Sequence, residues 1–178
     1  AGLRLLRVAA RARAEHGSES VGPLYEAMGR HVFEDAEAGD DAAARERRGT
    51  AEFVRPVLRE AGLPESLADA LDDDGLDAQI QAETDEALGL TGKDVGTPII
   101  HVDPPTGVAF FGPVISRLPD EAGAAELWDH VIGLARFPGF AELKRSLRET
   151  PQLPSLGVTT DEVGVQEDWH GGSRRQKK

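Results

Sequence analysis

The residues that could do chemistry in this chain cluster in one short stretch, Asp94-Val-Gly-Thr-Pro-Ile-Ile-His-Val102, followed by Gly107-Val-Ala-Phe-Phe-Gly-Pro-Val114. Proline cannot donate a ladder hydrogen bond, so Pro98 at the mouth of an apolar strand calls for a particular reason. One such reason is a cis-proline loop that holds a substrate strand beside a redox centre. The expected partner for that chemistry is a thiolate, and the chain contains no cysteine. Gly112 and Pro113 close the second strand near the same groove. They could shape a thiol or flavin-type cofactor pocket, or serve only as strand punctuation. His101 alternates with apolar neighbours, and a lone strand histidine is more often structural than catalytic.

Other candidates carry less. His16, His31, His130 and His170 lack metal-ligand spacing. Asp72-Asp73-Asp74-Gly75 lacks the alternating ligands and closing Glu of a calcium loop, and reads as a helix-breaking turn. Gly89-Leu-Thr-Gly-Lys93 has Ala87 where a phosphate loop needs its first glycine, and no strand precedes it. Trp128 falls on an apolar helical stripe and is expected in the core. Trp169 is expected to be exposed.

The elements that must hold the Thr97-Pro98 stretch follow from periodicity. A helix from Leu3 through Leu6, Ala10 and Ala14 ends near Gly17. A second spans Ser20–Glu34 with Pro23 in its first turn and Tyr25, Met28 and Val32 on one face. Residues 34–49 are charged and aperiodic, a solvated loop or loosely held helix. Thr50 caps a helix that turns Phe53, Val54, Val57, Leu58 and Ala61 inward, with Pro56 expected to kink it or delay its start. Pro64–Leu71 makes a short helix. Another buries Leu76, Ile80, Ala87 and Leu88 and stops at Gly89 or Gly92. From Val95 the period shifts to strands joined by Asp103-Pro-Pro-Thr-Gly107. Pro119-Asp120-Glu121 opens a helix expected to bury Ala125, Trp128, Val131, Ile132 and Ala135, and Phe140, Leu143 and Leu147 stripe a last one. The organisation expected is therefore a helical subdomain over 1–93, a strand–hairpin–helix segment over 94–150, and a disordered tail over 151–178.

Consecutive Ile99 and Ile100 suggest a strand covered on both faces and paired in parallel. No earlier segment offers a partner strand, so the partner is expected upstream of Ala1. A homodimer through the unpaired edge is the other expectation.

Composition narrows the partners. Net charge is −12 over 178 residues, a surface that repels phosphate backbones and anionic lipid, so neither nucleic acid nor membrane is expected. No apolar run reaches the roughly 18 residues of a spanning helix. Without cysteine there is no disulfide framework or thiolate metal site, and a cytoplasmic protein is the default.

Val95-Gly-Thr-Pro-Ile-Ile-His-Val, with Gly-Val-Ala-Phe-Phe-Gly-Pro-Val-Ile after it, resembles the cis-proline loop and hairpin of DsbA-like thioredoxin-fold proteins. The closer resemblance is to the actinobacterial mycothiol-dependent nitroreductase family. Pro23-Leu-Tyr-Glu-Ala-Met-Gly29, Ala61-Gly-Leu-Pro64, Glu126-Leu-Trp-Asp129 and Phe140-Ala-Glu-Leu-Lys-Arg145 are similar to it in the same order. It extends over about residues 1–152. The resemblance implies an α/β, thioredoxin-like fold of DsbA type with an inserted helical subdomain, here lacking the N-terminal β-α-β unit that carries the family's Cys-Pro-Trp-Cys motif. It implies Thr97 and Pro98 as substrate-binding residues, Gly96, Gly112 and Pro113 as pocket lining, and mycothiol as the small-molecule thiol, with a thiol or disulfide as substrate. No cofactor is read from the chain itself. Thiol–disulfide exchange requires a thiolate, so the chain as written is expected to be inactive. Two alternatives stay open. One is a cysteine-free binding module on the same groove. The other is a relative of the kappa-class glutathione transferases and 2-hydroxychromene-2-carboxylate isomerases, whose N-terminal serine would also be missing.

Overall fold

A computed structural model describes residues 1–35, 41–92, 95–143, 147–149, 153–156 and 166–168. The chain divides into two compact units, Ala1–Thr84 with Leu153–Thr159, and Asp85–Gln152 with Thr160–Lys178.

The first unit is helical. Helix α1 (Gly2–His16) ends at Gly17, which adopts φ 84 and donates its N–H to the Arg13 carbonyl. Left-handed backbone there suits a residue without Cβ. The inward side of α1 is Leu5, Val8, Ala9 and Ala12, whereas Leu3 and Leu6 are exposed. Of the expected positions Ala10 is buried and Ala14 is exposed, because the helix packs on its small residues, and alanines approach neighbouring backbone more closely than leucines at the same period. Helix α2 (Val21–Gly29) follows a short 3-10 turn, Ser18–Ser20, and continues as a π-helical turn over Arg30–Glu34. Leu24 and Ala27 are its buried residues and Met28 packs beside them. Tyr25, expected inside, is 78% exposed.

Within the charged 34–49 stretch, Asp41 caps α3 (Ala42–Arg47) by accepting the Ala44 N–H at 2.7 Å. Residues 36–40 lie outside the described residues. Helix α4 (Ala51–Glu60) starts where expected, with Thr50 Oγ1 accepting the Phe53 N–H at 3.3 Å. Pro56 sits inside it without delaying its start. Both Pro56 and Glu52, whose carbonyl loses its usual donor, are exposed. Val54, Val57 and Leu58 are fully buried and meet α1, α2 and a 3-10 segment, Glu65–Asp72, that contributes Leu67, Ala68, Ala70 and Leu71.

Polar clasps secure this core. Arg7 grips Asp77 with two 2.7 Å bonds, Nε to Oδ1 and Nη2 to Oδ2, and donates from Nη1 to the Leu71 carbonyl at 3.0 Å. Arg4 pairs with Asp72 and Arg11 with Asp73. The acidic 72–77 run is therefore held by one face of α1. Helix α5 (Asp77–Thr91) begins in this unit and ends with Gly92 at φ 92, whose N–H bonds to the Leu88 carbonyl at 2.8 Å. Of its expected inward positions Ile80 is buried, while Ala87 and Leu88 are half-buried.

Among the described residues the second unit contains the end of α5, two antiparallel strand pairs and a further helix. Strand β1 (Ile99–His101) pairs with β2 (Ala109–Phe111) in the register Ile99↔Phe111, Ile100↔Phe110 and His101↔Ala109. Ile99 and Ile100 are half-buried, less covered than the sequence suggests. Asp120 Oδ1 accepts the Gly123 N–H at 2.7 Å and caps α6 (Glu121–Arg136). No residue of α6 is buried: Ala125 is exposed, and Trp128, expected in the core, is 46% exposed. A hairpin of three-residue strands offers too little apolar area to cover a 16-residue helix. The expected last helix is absent from Phe140–Leu143, and Leu147–Glu149 is instead a strand, β3, paired antiparallel with β4 (Gln166–Asp168). A 3-10 turn, Pro154–Leu156, lies in the stretch read as tail. Residues 144–146, Lys93 and Asp94, and both Trp169 and His170 lie outside the described residues.

Candidate functional site

The β1–β2 hairpin is built by its turn. Val102 N–H donates to the Val108 carbonyl at 2.9 Å, and Gly107 N–H donates to the Asp103 carbonyl at 2.9 Å. A methyl on Gly107 would stand 1.7 Å from the Val102 carbonyl oxygen, so only glycine fits there. Asp103 takes φ 53 in the same turn, and its carboxylate accepts from Arg136 Nη2 at 2.7 Å. That bond ties the turn to the last turn of α6, where a cation also suits the helix dipole.

At the open end of the hairpin the Gly112 N–H donates to the Pro98 carbonyl at 2.9 Å. Gly112 adopts φ 105 and redirects the chain immediately after β2. The Thr97–Pro98 peptide is cis, as are Pro104–Pro105 and Gly112–Pro113. The hairpin therefore brings Gly96, Thr97 and Pro98 beside Gly112 and Pro113, all five candidate residues from two strand ends. Bonds from Pro98 and Val102 run toward β2. In an antiparallel ladder the alternate positions, Ile99 and His101, direct their backbone N–H and C=O groups to the opposite edge. That edge has no partner strand among the described residues. Gly96, Thr97 and Pro98 are all exposed. This arrangement can hold an extended or amide-bearing molecule by backbone hydrogen bonds, and it supplies no nucleophile, acid or base of its own. His101 is half-buried opposite Ala109.

A second cluster, in the first unit, was not legible in the sequence. Glu60 at the end of α4 accepts from Arg30 Nε at 2.6 Å and contacts His31 Nε2 at 2.8 Å. An ionised carboxylate only accepts, so Nε2 carries the proton in this contact. Arg30 also reaches Glu26 at 3.0 Å, and the His31 ring meets Phe53 edge-on at 6.1 Å. Arg30, His31 and Glu60, with Glu34 and Asp35, line an open cleft of about 280 Å³. The hydrogen bond from His31, then that from Arg30, holds the Glu60 carboxyl below its usual range. With both oxygens occupied, Glu60 is a poor base, and the cluster acts as a clasp between the π-turn and α4. Residues 31 and 60 share no local motif, and only the packing of two helices brings them together. No described group of His, Asp and Glu has metal-binding geometry.

Comparison with known families assigns the class, the mycothiol-dependent reductases. The chain belongs to the Rv2466c-like family, described as mycothiol-dependent nitroreductase Rv2466c, which matches residues 2–145. The match covers α1 to α5 and continues through the hairpin and α6. No helix among the described residues is long and apolar enough to cross a membrane.

Proposed function

We propose that this chain supplies the substrate groove of a cytoplasmic, mycothiol-dependent oxidoreductase. Thr97 and Pro98 hold a small-molecule thiol or disulfide, flanked by Gly96, Gly112 and Pro113. The single observation that carries this reading is the family match over residues 2–145, which includes every one of these positions. The geometry supports it. The candidate residues converge at one end of a hairpin, and the exposed backbone there fits a thiol whose other groups are hydrogen-bonding ones. In this reading β1 and β2 are the cis-proline strand and hairpin of a thioredoxin-like fold of DsbA type, and residues 1–93 are its helical insertion.

Mycothiol, when bound, supplies a sulfur for reduction. The chain positions it through the exposed backbone at the hairpin's open end. No residue of this sequence can perform the thiolate attack, since it contains no cysteine. The 178 residues alone therefore bind without turning over. The outer edge of β1 is the place where a further strand or a second copy would add.

The test is a titration of the isotope-labelled chain with mycothiol disulfide, followed by amide NMR. Shifts concentrated at Gly96, Thr97, Ile99 and Gly112 are expected, with no mycothiol-driven nitro reduction above the protein-free rate. Saturable shifts confined to the Arg30–Glu60 cleft, or measurable turnover by the chain alone, would reject the proposal.

A further inference from the structure

We draw no further inference here: the strongest candidate, the exposed apolar surface of the second unit formed by Trp128 and Leu134 on α6 and by Phe137 after it, carries nothing, because nothing in the structure shows what covers it.

Discussion

Glu60 is the residue whose environment departs furthest from what its neighbours in sequence suggest. It receives bonds from Arg30 and His31, and its folded-state pKa lies below the ordinary carboxylate value of about 4.3. A carboxyl lowered in this way stabilises the fold above its unfolded pKa, and that stability is lost as pH falls through the folded value. Glu60→Gln should therefore flatten the acid side of the thermal stability profile below about pH 4.3, while leaving the neutral-to-alkaline side parallel to the native curve. Calorimetric scans across pH check this, and an unchanged acid limb in the variant would contradict it. Gly107 makes a second case at this scale. Gly107→Ala places a methyl 1.7 Å from the Val102 carbonyl oxygen, so the turn must open. A loss of more than about 1 kcal/mol in hairpin stability is expected, read by amide exchange at Val102 and Gly112. Its glycine was legible as turn chemistry, but the reason for it is the approach of one carbonyl, which only folding reveals.

At the scale of elements, α4 is the best-determined piece. Its cap at Thr50 and its inward face at Val54, Val57 and Leu58 follow from local preference and period, and the structure has both. Leu58→Ala should cost about 2–5 kcal/mol in chemical denaturation, because its side chain is fully buried among α1, α2 and the 3-10 segment. For α1, the length and the stop at Gly17 are visible in the sequence, but the inward face is not, since Leu3 and Leu6 compete with the alanine seam. The seam of Val8, Ala9 and Ala12 sets the buried face of α1, and guanidinium–carboxylate pairs to residues 72–77, sixty and more positions away, reinforce it. Arg7 holds Asp77 below the usual carboxylate range, chiefly through their hydrogen bond. By the same linkage, Asp77→Asn should lower the melting temperature near neutrality and lose less on acidification below about pH 3.9 than the native chain does. Equal acid sensitivity in both proteins would show that the clasp is not coupled to folding.

Over the whole molecule, the two units differ in how well a sequence pattern predicts burial. In the first, eleven buried residues form one cluster, and helix periods translate into contacts. In the second, an equally regular pattern on α6 leads to no buried residue. Trp128→Gln should accordingly change stability by less than about 0.5 kcal/mol, as surface substitutions do, rather than the 3–5 kcal/mol of a core tryptophan. A large loss in urea denaturation would mean that Trp128 is covered in solution. Val114, Ile115 and Leu118, which follow β2 in the chain, are exposed as well.

Local signals set the helix starts at Thr50 and Asp120, the stop at Gly17, the strand pair around Asp103–Gly107, the family and the lack of any cysteine, and they narrowed the end of α5 to Gly89 or Gly92. These are local or compositional properties, set by caps, left-handed glycines and residue identity within a few positions. Long-range packing settled which face of α1 is buried, that α5 ends at Gly92, that Glu60 joins Arg30 and His31, that Trp128 lies outside the core, and that Phe111 reaches Gly96. Those outcomes depend on contacts between distant segments, where close approach and available apolar area outweigh the period of any one element.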